Sequence, residues 1–128
     1  MKRNLTVFIL TALFASGIPH AAPAVDTLPR AQWLGEMGDL LPALFCQGGT
    51  YFRSCFETDA AACHKAASHA TASCLEAHRD QIPEILRQPQ DGQRWGEKIG
   101  TCAGTRYEEA FRSLRIDSES CNNPMEWQ

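Results

Sequence analysis

The amino-acid sequence predicts an all-α fold, a small helical bundle of three to five helices stapled by three disulfides after a cleaved signal peptide. Three observations carry that expectation. Apolar residues recur at helical spacing through three stretches of the chain. Six cysteines, an even number, follow an N-terminus that reads as an export signal. The composition, 44% hydrophobic and 21% charged, supplies material for a core and lacks the charge excess of a disordered segment.

The signal has its parts in order: Lys2 and Arg3, an apolar run from Leu5 to Ala15, and Ala22, Pro23 and Ala24 as an A-x-A-type site. Cleavage after Ala24 fits best, because a cut after Ala22 would place Pro23 directly behind the scissile bond and His20 where a small residue is wanted. The apolar run is about half of the ~20 residues that cross a bilayer, so no stable membrane anchor is expected after cleavage. Residues 1–24 are thus read as the signal and residues 25–128 as one domain of 104 residues. Its ten Lys plus Arg against fifteen Asp plus Glu give a net charge of −5, which excludes a basic nucleic-acid footprint. The expected location is the periplasm or outside the cell.

The first helix is marked by Trp33, Met37, Leu40 and Leu44, with Leu34, Leu41 and Phe45 widening the stripe and Pro29 in the first turn. Pro42 lacks an N–H, so a kink or break is expected near Leu41. Gln47 to Ser54, opening with Gly48 and Gly49, reads as a turn or loop. The second helix covers Asp59 to Asp80, with Thr58 or Asp59 as N-cap and Pro83 beyond its end. On it Cys63, Ala66, Ala67, Ala70, Cys74 and Ala77 form a narrow stripe of small residues, opposite Lys65, His69 and Glu76. A turn around Pro89 to Gly92 leads into the third helix, about Arg94 to Arg115, whose apolar arc covers half the wheel. Gly96, Gly100 and Gly104 lie along the edge of that arc and predict close helix packing. The tail after Asp117 is polar apart from Cys121, Met125 and Trp127.

The cysteine gaps of 8, 7, 10, 27 and 18 residues contain no C-x-x-C, which argues against zinc and against a thioredoxin-like dithiol. In an antiparallel hairpin of the two long helices, facing residues have a constant sum of positions. Cys74 with Cys102 and Cys55 with Cys121 share one sum, 176, which leaves Cys46 for Cys63. Fifteen connectivities are open to six cysteines, and this one is favoured.

Catalytic patterns are absent: no G-x-S-x-G, H-E-x-x-H or phosphate-binding loop occurs, and His64, His69 and His78 are spaced so that they cannot share a metal. No enzymatic activity, metal or cofactor is expected. Two features could bind a partner. Tyr51, Phe52 and Arg53 combine aromatic and Arg side chains in a segment bounded by Cys46 and Cys55, against the plainer reading that Tyr51, Phe52 and Phe56 start the second helix and fill the core. Arg106 falls within the apolar arc of the last helix, where it must snorkel, pair with a carboxylate, or face an anionic ligand or partner.

The C-x-x-C, C-C and C-x-C elements of saposin-like and plant lipid-transfer proteins are missing, as are the equal spacings of twin C-x9-C hairpins. The chain resembles small helical disulfide-bonded bacterial immunity proteins in general character only. The function expected is therefore non-enzymatic binding of another protein, as an inhibitor, immunity factor or assembly accessory. The alternative is carriage of a small apolar or anionic ligand between the helices.

Overall fold

In the computed structural model the described residues are 24–127 together with Pro19, Ala21 and Ala22, so the signal read in residues 1–24 lies almost entirely outside them. The remainder is a bundle of four helices: α1 (Arg30–Phe45), α2 (Tyr51–Ser54), α3 (Ala60–His78) and α4 (Gln90–Ala110). Short 3-10 turns follow at Arg79–Gln81, Arg112–Leu114 and Pro124–Trp127. The small helical bundle stapled by disulfides that the sequence predicts is the fold found.

The middle helix, α3, packs along both α1 and α4. Its start is fixed by Asp59, whose carboxylate accepts from the Ala62 N–H at 2.7 Å, a cap that contributes about 1 kcal/mol. Cys63, Ala67 and Cys74 are fully buried along it. Small side chains there let both neighbours approach, as the stripe predicts, although Ala77 at its end is exposed.

Several expectations need correction. α1 runs through Pro42 without a break, and Pro42 itself is buried. The face that α1 buries is Trp33, Leu34 and Leu41, while Leu40 and Leu44 stay 48% and 47% exposed, because α3 covers only one side of the stripe. The expected loop after Gly49 is in fact the single turn α2, capped by Thr50, whose hydroxyl accepts from the Arg53 N–H. Gly49 has φ +86°, so the glycine is required by the backbone of the preceding turn. α4 starts four residues earlier than expected, with Pro89 at its cap and Asp91 in its first turn.

α4 also ends earlier, at Ala110. There the chain turns so that the Ile116 N–H donates to the Cys55 carbonyl at 2.9 Å and the Glu57 N–H to that of Leu114 at 2.8 Å. Two strands were not foreseen. β1 (Thr27–Pro29) pairs antiparallel with β2 (Ile85–Arg87), with Leu28 opposite Leu86. Leu86 is fully buried, which anchors this ribbon to the bundle.

The disulfides join Cys46 to Cys63, Cys55 to Cys121 and Cys74 to Cys102. Only the last of these pairs bridges the hairpin of long helices, linking α3 to α4. Cys55 and Cys121 both lie outside the long helices, next to an antiparallel bridge of Phe56 with Arg115 whose positions sum to 171, so the sum of 176 for this pair does not come from the hairpin register. The glycine stripe is tight at one position. A Cβ on Gly104 would stand 3.0 Å from Phe52 Cζ, whereas on Gly96 or Gly100 it would meet its nearest neighbour at 3.9 Å.

Candidate functional site

Two grooves beside α4 contain residues singled out in the sequence, one with Arg106 and Glu109 and the other with Tyr51, Phe52 and Glu108; both glutamates also line a further groove with Thr105, Arg112 and Arg115. The larger, about 710 Å³, runs between α3 and α4. Its floor is built from Ala62, Ala66 and Ala70, one row at four-residue spacing on α3, with Ala110 from α4 and Phe111 closing one end. Lys65, His69 and Ser73 form the α3 lip, and Arg106 and Glu109 the α4 lip. Ala62, Lys65, His69, Arg106, Glu109 and Ala110 are all exposed, so this is an open trough on the surface.

Arg106 reaches across the trough, where its guanidinium donates to the Ser73 hydroxyl. Among the described residues that hydroxyl, and not a carboxylate, is its partner. Lys65 and Glu109 make no hydrogen bond or ion pair among the described residues. The trough therefore offers uncommitted charge beside an apolar floor. Arg106 stands out in the sequence by its place in an apolar arc, whereas Lys65 and His69 read there as residues of a solvated face. The signal that could have joined them was the register of the Cys74–Cys102 pair, which sets residues 106–110 of α4 against residues 66–70 of α3.

The smaller groove, about 390 Å³, lies beside α2 and the tail. Here Phe52 stacks on Phe45 at 4.2 Å between ring centroids and meets Tyr107 edge-on at 5.2 Å. The Tyr51 hydroxyl donates to Glu108 at 2.8 Å and accepts from Arg115 Nε at 3.2 Å. Arg53 donates to the Thr58 carbonyl at 2.7 Å. Tyr51, Phe52 and Arg53 are each half-buried, and all three are engaged in holding α2 to its neighbours. Burial pushes the Tyr107 hydroxyl up to about 12; it donates to the Phe52 carbonyl at 2.9 Å. Tyr51 is also raised, by burial first and then by the hydrogen bond with Glu108.

Away from both grooves, Asp91 is 5% exposed and accepts from the Arg87 backbone N–H at 2.8 Å and from its guanidinium at 3.0 Å. These bonds hold the Asp91 carboxyl below its ordinary range and tie β2 to the start of α4. Among the described residues the three histidines are dispersed: His64 contacts Ser68, His69 lines the trough and His78 lies against Trp95. Among the described residues no cluster of His, Cys, Asp and Glu could hold a metal, and no helix is long and apolar enough to cross a membrane.

No curated protein and no solved structure matches the chain. One family model does, described as T2SS substrate NttA, over residues 27–115. That span runs from β1 through all four helices and holds five of the six cysteines, with Cys121 beyond it. A family of secreted substrates and three disulfides agree in pointing to an exported protein. The chain belongs to the NttA family of T2SS substrates.

Proposed function

We propose that this exported protein is a non-enzymatic module that binds another protein, and that the α3–α4 trough is its binding surface. The observation that supports this reading is the open, alanine-floored trough bordered by Lys65, Arg106 and Glu109, whose charges are available to a partner. Carriage of a small ligand is favoured less, because pockets for small molecules enclose most of the ligand surface, whereas an occupant of this trough would stay wet along one side. In this reading residues 1–24 are removed on export, and the mature chain acts in the periplasm or beyond the cell.

The test uses the oxidised mature protein, immobilised and exposed to periplasmic extract and to medium proteins, beside Ala62→Trp and Ala110→Glu. Both alanines are exposed, so each variant should melt within about 2 °C of the parent, a change well under 1 kcal/mol. A protein retained by the parent and lost by both variants is the expected result. Equal retention by all three, or by none, would overturn the assignment.

A further inference from the structure

Resting on that reading, we propose that the occupant of the α3–α4 trough is an acidic amphipathic helix of the partner, lying along α3 and presenting two carboxylates seven or eight residues apart. The length of the trough sets the size of the occupant. It is lined on α3 from Ala62 to Ser73, and eleven residues of helix rise about 16 Å, which matches three turns of a partner helix.

Its floor sets the face that enters. Alanines at four-residue spacing leave a shallow channel with no carbonyls or amides offered by an open sheet edge, so the backbone of an extended peptide would gain no partners there. A helix has its own backbone satisfied and can lay a stripe of apolar side chains on such a floor.

Charge complementarity sets the sign. The mature chain carries a net charge of −5, yet two cations border this trough against the one acid, Glu109. Arg106 places its guanidinium at Ser73, eight residues from Lys65 and about 12 Å along α3. On a helix, positions seven or eight apart return to the same face at that same separation. Carboxylates so spaced on the partner would therefore meet Lys65 and Arg106 together.

Glu109 refines the match. In the register that pairs Cys74 with Cys102 it stands level with Ala67, between the two cations, so a third carboxylate midway along the partner would be repelled. The recognised stripe is thus acid, apolar centre, acid.

The probe is a fluorescein-labelled helical peptide of 15 residues (roughly the trough plus one turn) carrying two glutamates eight positions apart beside a Leu/Ala stripe. Its control replaces both glutamates with lysine. Fluorescence anisotropy against the oxidised mature protein should show the acidic peptide binding at least about tenfold more tightly than the lysine peptide, about 1.4 kcal/mol. The double variant Lys65→Gln, Arg106→Gln should melt like the parent and lose that preference.

A preference for the lysine peptide, no binding of the acidic one, or a preference that survives in the double variant would each overturn the proposal. So would binding to phosphatidylglycerol vesicles without binding to the acidic peptide, which would assign the trough to a membrane surface. If the acidic peptide fails while Ala62→Trp and Ala110→Glu still abolish capture of a protein, only the chemistry assigned to the partner falls, and the trough remains the binding surface.

Discussion

At the scale of single residues, Tyr107 links the core to the pH dependence of the fold. Its hydroxyl is fully buried with the ring and donates to the Phe52 carbonyl, and its pKa is pushed up to about 12 by desolvation. A folded-state pKa above the unfolded value, about 10, means that the stability it contributes is complete below that value and is lost as pH rises toward the folded one. Tyr51 is raised too and acts in the same direction. Tyr107→Phe should lower stability at neutral pH by about 1 kcal/mol through the lost hydrogen bond, and should flatten the decline between pH about 10 and about 12. Urea unfolding at a series of pH values checks both effects, and a parent whose stability is level across that window contradicts the assignment. Arg106 was legible in the sequence because a guanidinium inside an apolar arc conflicts with its surroundings. The hydrogen bond of Tyr107 was not, since nothing in the local sequence indicates that Phe52 would bring its carbonyl back to α4.

At the scale of elements, the glycines of α4 separate helix propensity from packing. Glycine costs about 1 kcal/mol against alanine in a helix interior, so Gly100→Ala, whose Cβ would meet Leu41 at an ordinary 3.9 Å, should stabilise the protein by about that amount. Gly104→Ala should destabilise it, because the 3.0 Å approach falls on Phe52, which Phe45 and Tyr107 hold from two sides and which has little room to give. Melting temperatures that rise for both variants would show that α2 yields more readily than its ring contacts imply. The ends and faces of α3 could be read from the sequence because Asp59 and the small-residue stripe act locally. Of the kink or break expected near Leu41, a break is absent, with Leu41 and Pro42 buried and Phe45 packed against the core beyond them. β1 and β2 were missed for another reason. Each is three residues long, too short for a period-two pattern, and the pairing of Leu28 with Leu86 depends on contacts across 58 positions of sequence.

At the scale of the whole molecule, three cross-links share stabilisation with two packed clusters, one around Trp33, Trp95 and Ile99 and one around Phe56 and Tyr107. The loop-closure account of disulfides ranks them by separation, 66 residues for Cys55 to Cys121 and 17 for Cys46 to Cys63. Replacing the first pair by alanine should cost about 4 kcal/mol and the second about 3 kcal/mol, measured by guanidinium unfolding. The opposite order would mean that packing around Cys46 and Cys63 outweighs loop entropy. The Cys74–Cys102 pair was accessible from the sequence because an antiparallel hairpin constrains which positions of α3 and α4 can meet, whereas the trough was not, since it forms where neither α1 nor α2 covers the α3–α4 seam.

The way the cross-links overlap has a consequence for how this exported protein responds to proteolysis. The Cys46 to Cys63 and Cys55 to Cys121 bridges interlock along the sequence, and Cys74 to Cys102 is nested inside the second. Every peptide bond between Cys46 and Cys121 is thus spanned by at least one bridge. A single proteolytic nick anywhere in that interval, including the exposed turn at Arg79–Gln81, releases no fragment: the two pieces stay covalently joined until a reductant separates them.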